Sequence, residues 1–124
     1  MELEQIMAIL YVLTVASVVI FQLCLIFGAP WGHITQGGNH KGSLPLSGRI
    51  TALLSILIIL YMAASIASAS GLAPNWADWT AYVAISMQVL ITILNWITPS
   101  KKERILWGPT TSIMLLLSVY IVII

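Results

Sequence analysis

Charge is what this sequence has least of. Only 7% of its 124 residues are Asp, Glu, Lys or Arg, against about 25% in an ordinary soluble domain. Hydrophobic residues make up 60%, more apolar surface than a core of this size can hide from water, so lipid is the expected solvent for most of the chain. Cysteine is nearly absent as well. Cys24 stands alone, which excludes an intramolecular disulfide and a cysteine metal cluster and leaves it as a small packing residue. The net charge of +1 leaves no basic footprint for nucleic acid. No cofactor is expected.

What is present is four long apolar runs, at about 6–27, 50–70, 79–97 and 105–124, and none holds an Asp, Glu, Lys, Arg or His. Each is long enough to cross the roughly 30 Å hydrocarbon core as a helix. The first run follows acidic Glu2 and Glu4, lacks a basic leader and is too long for a signal peptide, so it reads as a retained span. The connections after the second and third runs are short, which favours antiparallel neighbours. The expected fold is therefore an all-α membrane protein. It is a single membrane domain over 1–124, a four-transmembrane-helix antiparallel bundle.

Helix ends carry their own signals. Ser47 can cap the second span after Pro45. Asn75, with Asp78 three residues on, can cap the third, and Ser100 with Glu103 fits a capping box for the fourth, making 101–104 its first turn. Pro109 then falls inside the fourth span, where it removes a donor and crowds the carbonyl of Ile105, so a kink eased by Gly108 is expected. Ala63, Ala64, Ala67, Ser68 and Gly71 set small residues at four-residue spacing, fit for close packing within the bundle or for a homodimer seam.

Residues 28–49 form the one sizeable polar segment between the runs. They hold both histidines, six of the eight glycines and two of the five basic residues. The Gln36-Gly37-Gly38-Asn39 turn between short flanking stretches makes a small β-hairpin plausible, folded back as a lid. All five basic residues, Lys41, Arg49, Lys101, Lys102 and Arg104, fall on the connections of one side. The positive-inside rule makes that side cytoplasmic and puts both termini outside. Trp31, Trp96 and Trp107 near that interface, and Trp76 and Trp79 near the other, agree with it.

Three sets of residues are candidates for chemistry. Gln22 in the first span, and Gln88, Thr92 and Asn95 on one face of the third, need partners in lipid. They serve either as interhelical glue, a Gln22–Asn95 bond for example, or as the polar wall of a path or pocket. The five basic residues, with loop amides, can hold a lipid phosphate or another anion, although topology alone also accounts for them. His33 and His40 can act as acid or base, but two histidines with no acid or thiol beside them are a poor metal site, and no metal is expected.

The pattern Gly28-x-Pro30-Trp31-Gly32, Gly37-Gly38, Gly42-x-Leu44-Pro45, Ile97-Thr98-Pro99-Ser100 and Glu103-Arg104 resembles small uncharacterised four-span bacterial integral membrane proteins. That resemblance implies a bacterial plasma membrane and supplies no activity. The leading functional expectation is a non-catalytic module that binds lipids or a protein partner, as a possible homodimer or a subunit of a larger membrane complex. A small-solute transporter or channel is the alternative, and a membrane enzyme acting on a lipophilic substrate is the third reading.

Overall fold

A computed structural model of the chain describes residues 2–124. It is helical, with α1 spanning Leu3–Ile26, α2 Leu46–Ala69, α3 Trp79–Ile97 and α4 Lys101–Ile123. All four are long and apolar enough to cross a membrane.

The helix ends match the sequence signals unevenly. Ser100 caps α4 as expected, its Oγ accepting from the Glu103 N–H at 3.2 Å. Ser47 does not cap α2. Pro45, extended at φ −68° and ψ 173°, takes the flanking position, so Ser47 already lies in the first turn, where its carbonyl accepts from Thr51 Oγ1. Asn75 does not cap α3 either. It sits left-handed at φ 61° within the connection, and Asp78 flanks the helix without a side-chain cap bond. Pro109 lies inside α4, which continues through it to Ile123.

Packing inverts the pattern of a soluble bundle. The buried positions of α3 are Thr80, Ala81, Ala84, Gln88 and Thr92, all small or polar. Its opposite face carries exposed large apolar residues, with Leu90 58% and Ile93 50% exposed, while Ile85, Met87 and Ile91 are partly buried against the core. Leu13, Ile20 and Leu116 behave likewise at 61%, 62% and 70%. In water such a surface forfeits roughly 25 cal/mol per Å². In lipid it costs nothing, and small inward residues let helix backbones approach. α1 packs mainly on α2, and α3 on α4. Tyr11, Val15, Met62, Ile66, Ala84 and Met114 meet in the main core.

Where a hairpin is expected, the loop instead forms two 3-10 turns, Gly32–Ile34 and Gln36–Gly38, and no strand occurs among the described residues. The backbone explains the difference. Gln36, Gly37 and Gly38 all take positive φ (48°, 82° and 71°), which bends the chain continuously and leaves no extended run to ladder. The Gly32 N–H still reaches across to Gly42 O at 2.8 Å. Leu44, 2% exposed, anchors the loop in a second apolar cluster with Leu25 and Ala52. The Arg49 guanidinium secures both ends, donating from Nε to Leu44 O (2.9 Å) and from Nη1 to Ile26 O (3.3 Å) at the last turn of α1.

Candidate binding cavity

The loop is stitched to the start of α4 by three hydrogen bonds. Gly37 N–H donates to Glu103 Oε2 at 3.1 Å, Ser100 Oγ donates to His33 O at 2.7 Å, and Trp107 Nε1 donates to Ile34 O at 3.1 Å. Glu103 thus departs from the capping box. It gives its own N–H to Ser100 and lends its carboxylate to the loop, while the Ser100 N–H turns to Thr98 Oγ1 (3.3 Å). Gly38 makes the approach possible: a Cβ there would stand 2.6 Å from Ser100 Cβ.

Under this stitched loop lies a cavity of about 280 Å³ among the four helices. Its wall is largely apolar, with Val18 and Phe21 from α1, Ile59 and Met62 from α2, and Met114 from α4. Polar groups enter it at Gln22, Gln88 and Asn95 from the helices, at Thr35 and Gln36 from the loop, and at Glu103. Glu103 is only 6% exposed. Phe21 stacks on Trp31 (centroids 5.6 Å apart, planes 5° apart) and meets the Trp107 ring edge-on at 4.7 Å, so an aromatic group stands at the same end.

At the cavity wall Gln88 is held in a hydrogen-bonded network. Tyr11 Oη donates to Gln88 Oε1 at 2.8 Å, deep between α1 and α3. Gln88 Nε2 donates to Thr111 O (3.3 Å), and Thr92 Oγ1 lies 2.8 Å from Gln88 O and 3.2 Å from Thr111 O. The network crosses three helices, as buried polar groups in an apolar medium must. Gln22 and Ser65 are less well satisfied, Ser65 Oγ being buried without a partner. Gln22 Oε1 is likewise buried and has no hydrogen-bond partner. The Gln22–Asn95 bond does not form, because Asn95 Nδ2 donates to Ile91 O in its own helix (2.8 Å).

The sequence candidates therefore divide. Gln22, Gln88 and Asn95 share one cavity, and Thr92 braces Gln88 from beside it. Neither His33 nor His40 lines the cavity; His33 contributes its backbone carbonyl to the loop attachment. None of Lys41, Arg49, Lys101, Lys102 and Arg104 lines it either. Arg49 is engaged with backbone carbonyls, Lys41, Lys101 and Lys102 are exposed, and Arg104 Nε is buried without a partner.

Tyr11, Glu103, Gln36 and the Phe21–Trp107 pair are additions to the sequence candidates. Tyr11 carries a legible signal, a hydroxyl in the middle of an aliphatic span that must find an acceptor. Glu103 carries a misleading one, since its spacing from Ser100 reads fully as a capping box.

No family model, characterised protein or solved structure matches this chain.

Proposed function

We propose that the protein is a non-catalytic, multipass membrane protein that binds a small amphiphilic molecule in the cavity between its helices, with residues 28–49 as the cover. The observation that carries this is the cavity itself, a largely apolar chamber with a few polar groups in its wall and the loop over it. Small-molecule pockets have this composition, and at about 280 Å³ the chamber lies just below their roughly 300–1,000 Å³ range. It therefore suits a small ligand or the head of a larger one. In this reading the helices run antiparallel, the covered end faces the cytoplasm of a bacterial cell and both termini face outward, in keeping with the five basic residues. Membrane lipids are its nearest source of amphiphiles. The small-residue face of α2 leaves room for a homodimer or a larger complex.

The test is retention. The protein is isolated in nanodiscs from its native membrane, and the molecules it carries are weighed by mass spectrometry. Val18→Phe, which fills the chamber from α1, is expected to abolish a retained small molecule while helix content and melting temperature stay near wild type. Identical retention in the two forms rejects the reading.

A transporter is the second reading, favoured by one observation. The cover is attached to α4 chiefly through backbone groups of the loop, Gly37 N–H, His33 O and Ile34 O, and such bonds can break and reform without unfolding a helix. Gln22, Gln88, Thr92 and Asn95 would then border the path. Solute flux in proteoliposomes that falls in Gln22→Leu, with binding retained, would favour it over a static binding module. The anion reading of the basic residues belongs to the protein's surface, where Lys41, Lys101 and Lys102 meet lipid headgroups.

A further inference from the structure

We propose that the ligand of this cavity is a lipophilic amine, a molecule with a protonated nitrogen bearing N–H donors and an apolar body. The inference rests on the cavity being the binding site and concerns which chemistry it accepts. Among the residues that line the chamber, one is charged, and it is Glu103. An anion would have to sit beside that carboxylate in a chamber without Lys, Arg or His in its wall, where charges are poorly screened. A cation meets the opposite situation.

The carboxylate has capacity left for it. Glu103 Oε2 accepts from Gly37 N–H, but two carboxylate oxygens offer about four acceptor positions. Gln22 also borders the chamber, and its Oε1 is buried without a partner, so a turn of the side-chain amide would present it to the ligand. A buried acceptor left unsatisfied is costly, and a donor on the ligand removes that cost. Phe21 and Trp107 line the same chamber, and aromatic faces within about 6 Å attract a cation. Val18, Ile59, Met62 and Met114 then receive the apolar body. Carboxylate, unpaired amide oxygen and aromatic rings all favour a positively charged donor, and the rest of the wall favours hydrocarbon.

The test uses four eight-carbon probes: octylamine (protonated at pH 7), octyltrimethylammonium, octanol and octanoate. They are titrated into wild-type protein in phosphatidylcholine nanodiscs, with calorimetry and total tryptophan emission as readouts and empty discs subtracted. Octylamine is expected to bind at least tenfold more tightly than octanol or octanoate, because a hydrogen bond to a charged group is worth about a factor of ten or more. Glu103→Gln keeps an acceptor for Gly37. It should weaken octylamine about tenfold while leaving octanol within twofold. Gln22→Leu should reduce the preference for octylamine over octyltrimethylammonium, since only the former has N–H donors.

Octanoate binding as tightly as octylamine would overturn the inference, as would equal losses of octylamine and octanol in Glu103→Gln. In either case octanol binding that Val18→Phe abolishes would leave the cavity reading standing. If no probe binds in a manner that Val18→Phe blocks, both fail together. Should Glu103→Gln not fold, the Gln22→Leu selectivity decides in its place, and an unchanged ratio of octylamine to octyltrimethylammonium sinks the proposal.

Discussion

The two ends of the bundle are built differently. At one end, residues 28–49 are sewn to α4 by Glu103, Ser100 and Trp107, and a chamber lies beneath them. At the other, the short connection 70–78 closes α2 onto α3 through local bonds: Trp76 N–H to Ser68 Oγ (2.9 Å) and Tyr61 Oη to Thr80 O (3.2 Å). Ala63 and Ala67 are small residues beside it, and they line an open apolar groove of about 470 Å³ with Ile9, Val12 and Leu13 of α1 and Leu72 of the connection. The comparison teaches where a small membrane protein can keep empty volume. Small residues on α2 leave a groove open at the surface rather than an enclosed gap. A folded loop can hold one open at the membrane face, because the loop satisfies its own backbone groups and those of the helix start.

If the covered end depends on close approach of loop and helix, the largest effect comes from the glycine at the seam. Gly38 combines φ 71° with a Cβ position 2.6 Å from Ser100 Cβ. Gly38→Leu must bear a left-handed backbone cost of roughly 1–2 kcal/mol together with a clash that displaces the loop. The expected outcome is a loss of about 3 kcal/mol in reversible unfolding in detergent, with faster alkylation of a cysteine placed at Gln22. Unchanged alkylation would mean that the loop is no cover.

Next comes the network behind Gln88 in the cavity wall. Gln88→Leu strands the Tyr11 hydroxyl between α1 and α3. Leaving a buried donor unsatisfied costs about 1–3 kcal/mol, although measured side-chain hydrogen bonds between membrane helices average nearer 0.6 kcal/mol. A loss of about 1.5 kcal/mol is expected, and Tyr11→Phe added to Gln88→Leu should recover part of it. A double variant as unstable as the sum of the two singles would show that the bond is not a coupled unit.

How much of this was legible in the residues follows the same division between the ends. The spans are readable because lipid imposes one demand, an uninterrupted apolar run, and α3 occupies the run at about 79–97. Gln22, Gln88 and Asn95 were readable as inward-facing because an amide in hydrocarbon must find company, and three of the four path candidates do line one cavity. The loop's turns were not readable. Glycine permits a hairpin and a pair of 3-10 turns equally, and the choice was made by contacts more than sixty residues away, Gly37 to Glu103 and His33 to Ser100. The same long-range contact hid Glu103, whose spacing from Ser100 describes a local cap while its carboxylate serves the loop. Asn75 failed as a cap for a simpler reason: the chain needs a left-handed residue in that turn, and Asn tolerates one.

The last pair, which includes the smallest effect, contrasts the starts of α4 and α3. Ser100 accepts from Glu103 N–H and donates to His33 O, so Ser100→Ala removes a helix cap and a loop attachment together, and about 1–2 kcal/mol should be lost. Asp78 holds the equivalent flanking position on α3 but makes no cap bond. Its exposed carboxylate gains only the weak attraction of a helix N-terminus, a few tenths of a kcal/mol in salt. Asp78→Ala is therefore expected to leave unfolding within about 0.5 kcal/mol of wild type, the ordinary range of a surface substitution. Measured side by side, the pair asks whether the helix starts are interchangeable. Equal losses at Ser100 and Asp78 would mean that a helix start matters equally wherever it lies, and the loop attachment would then contribute nothing beyond the cap.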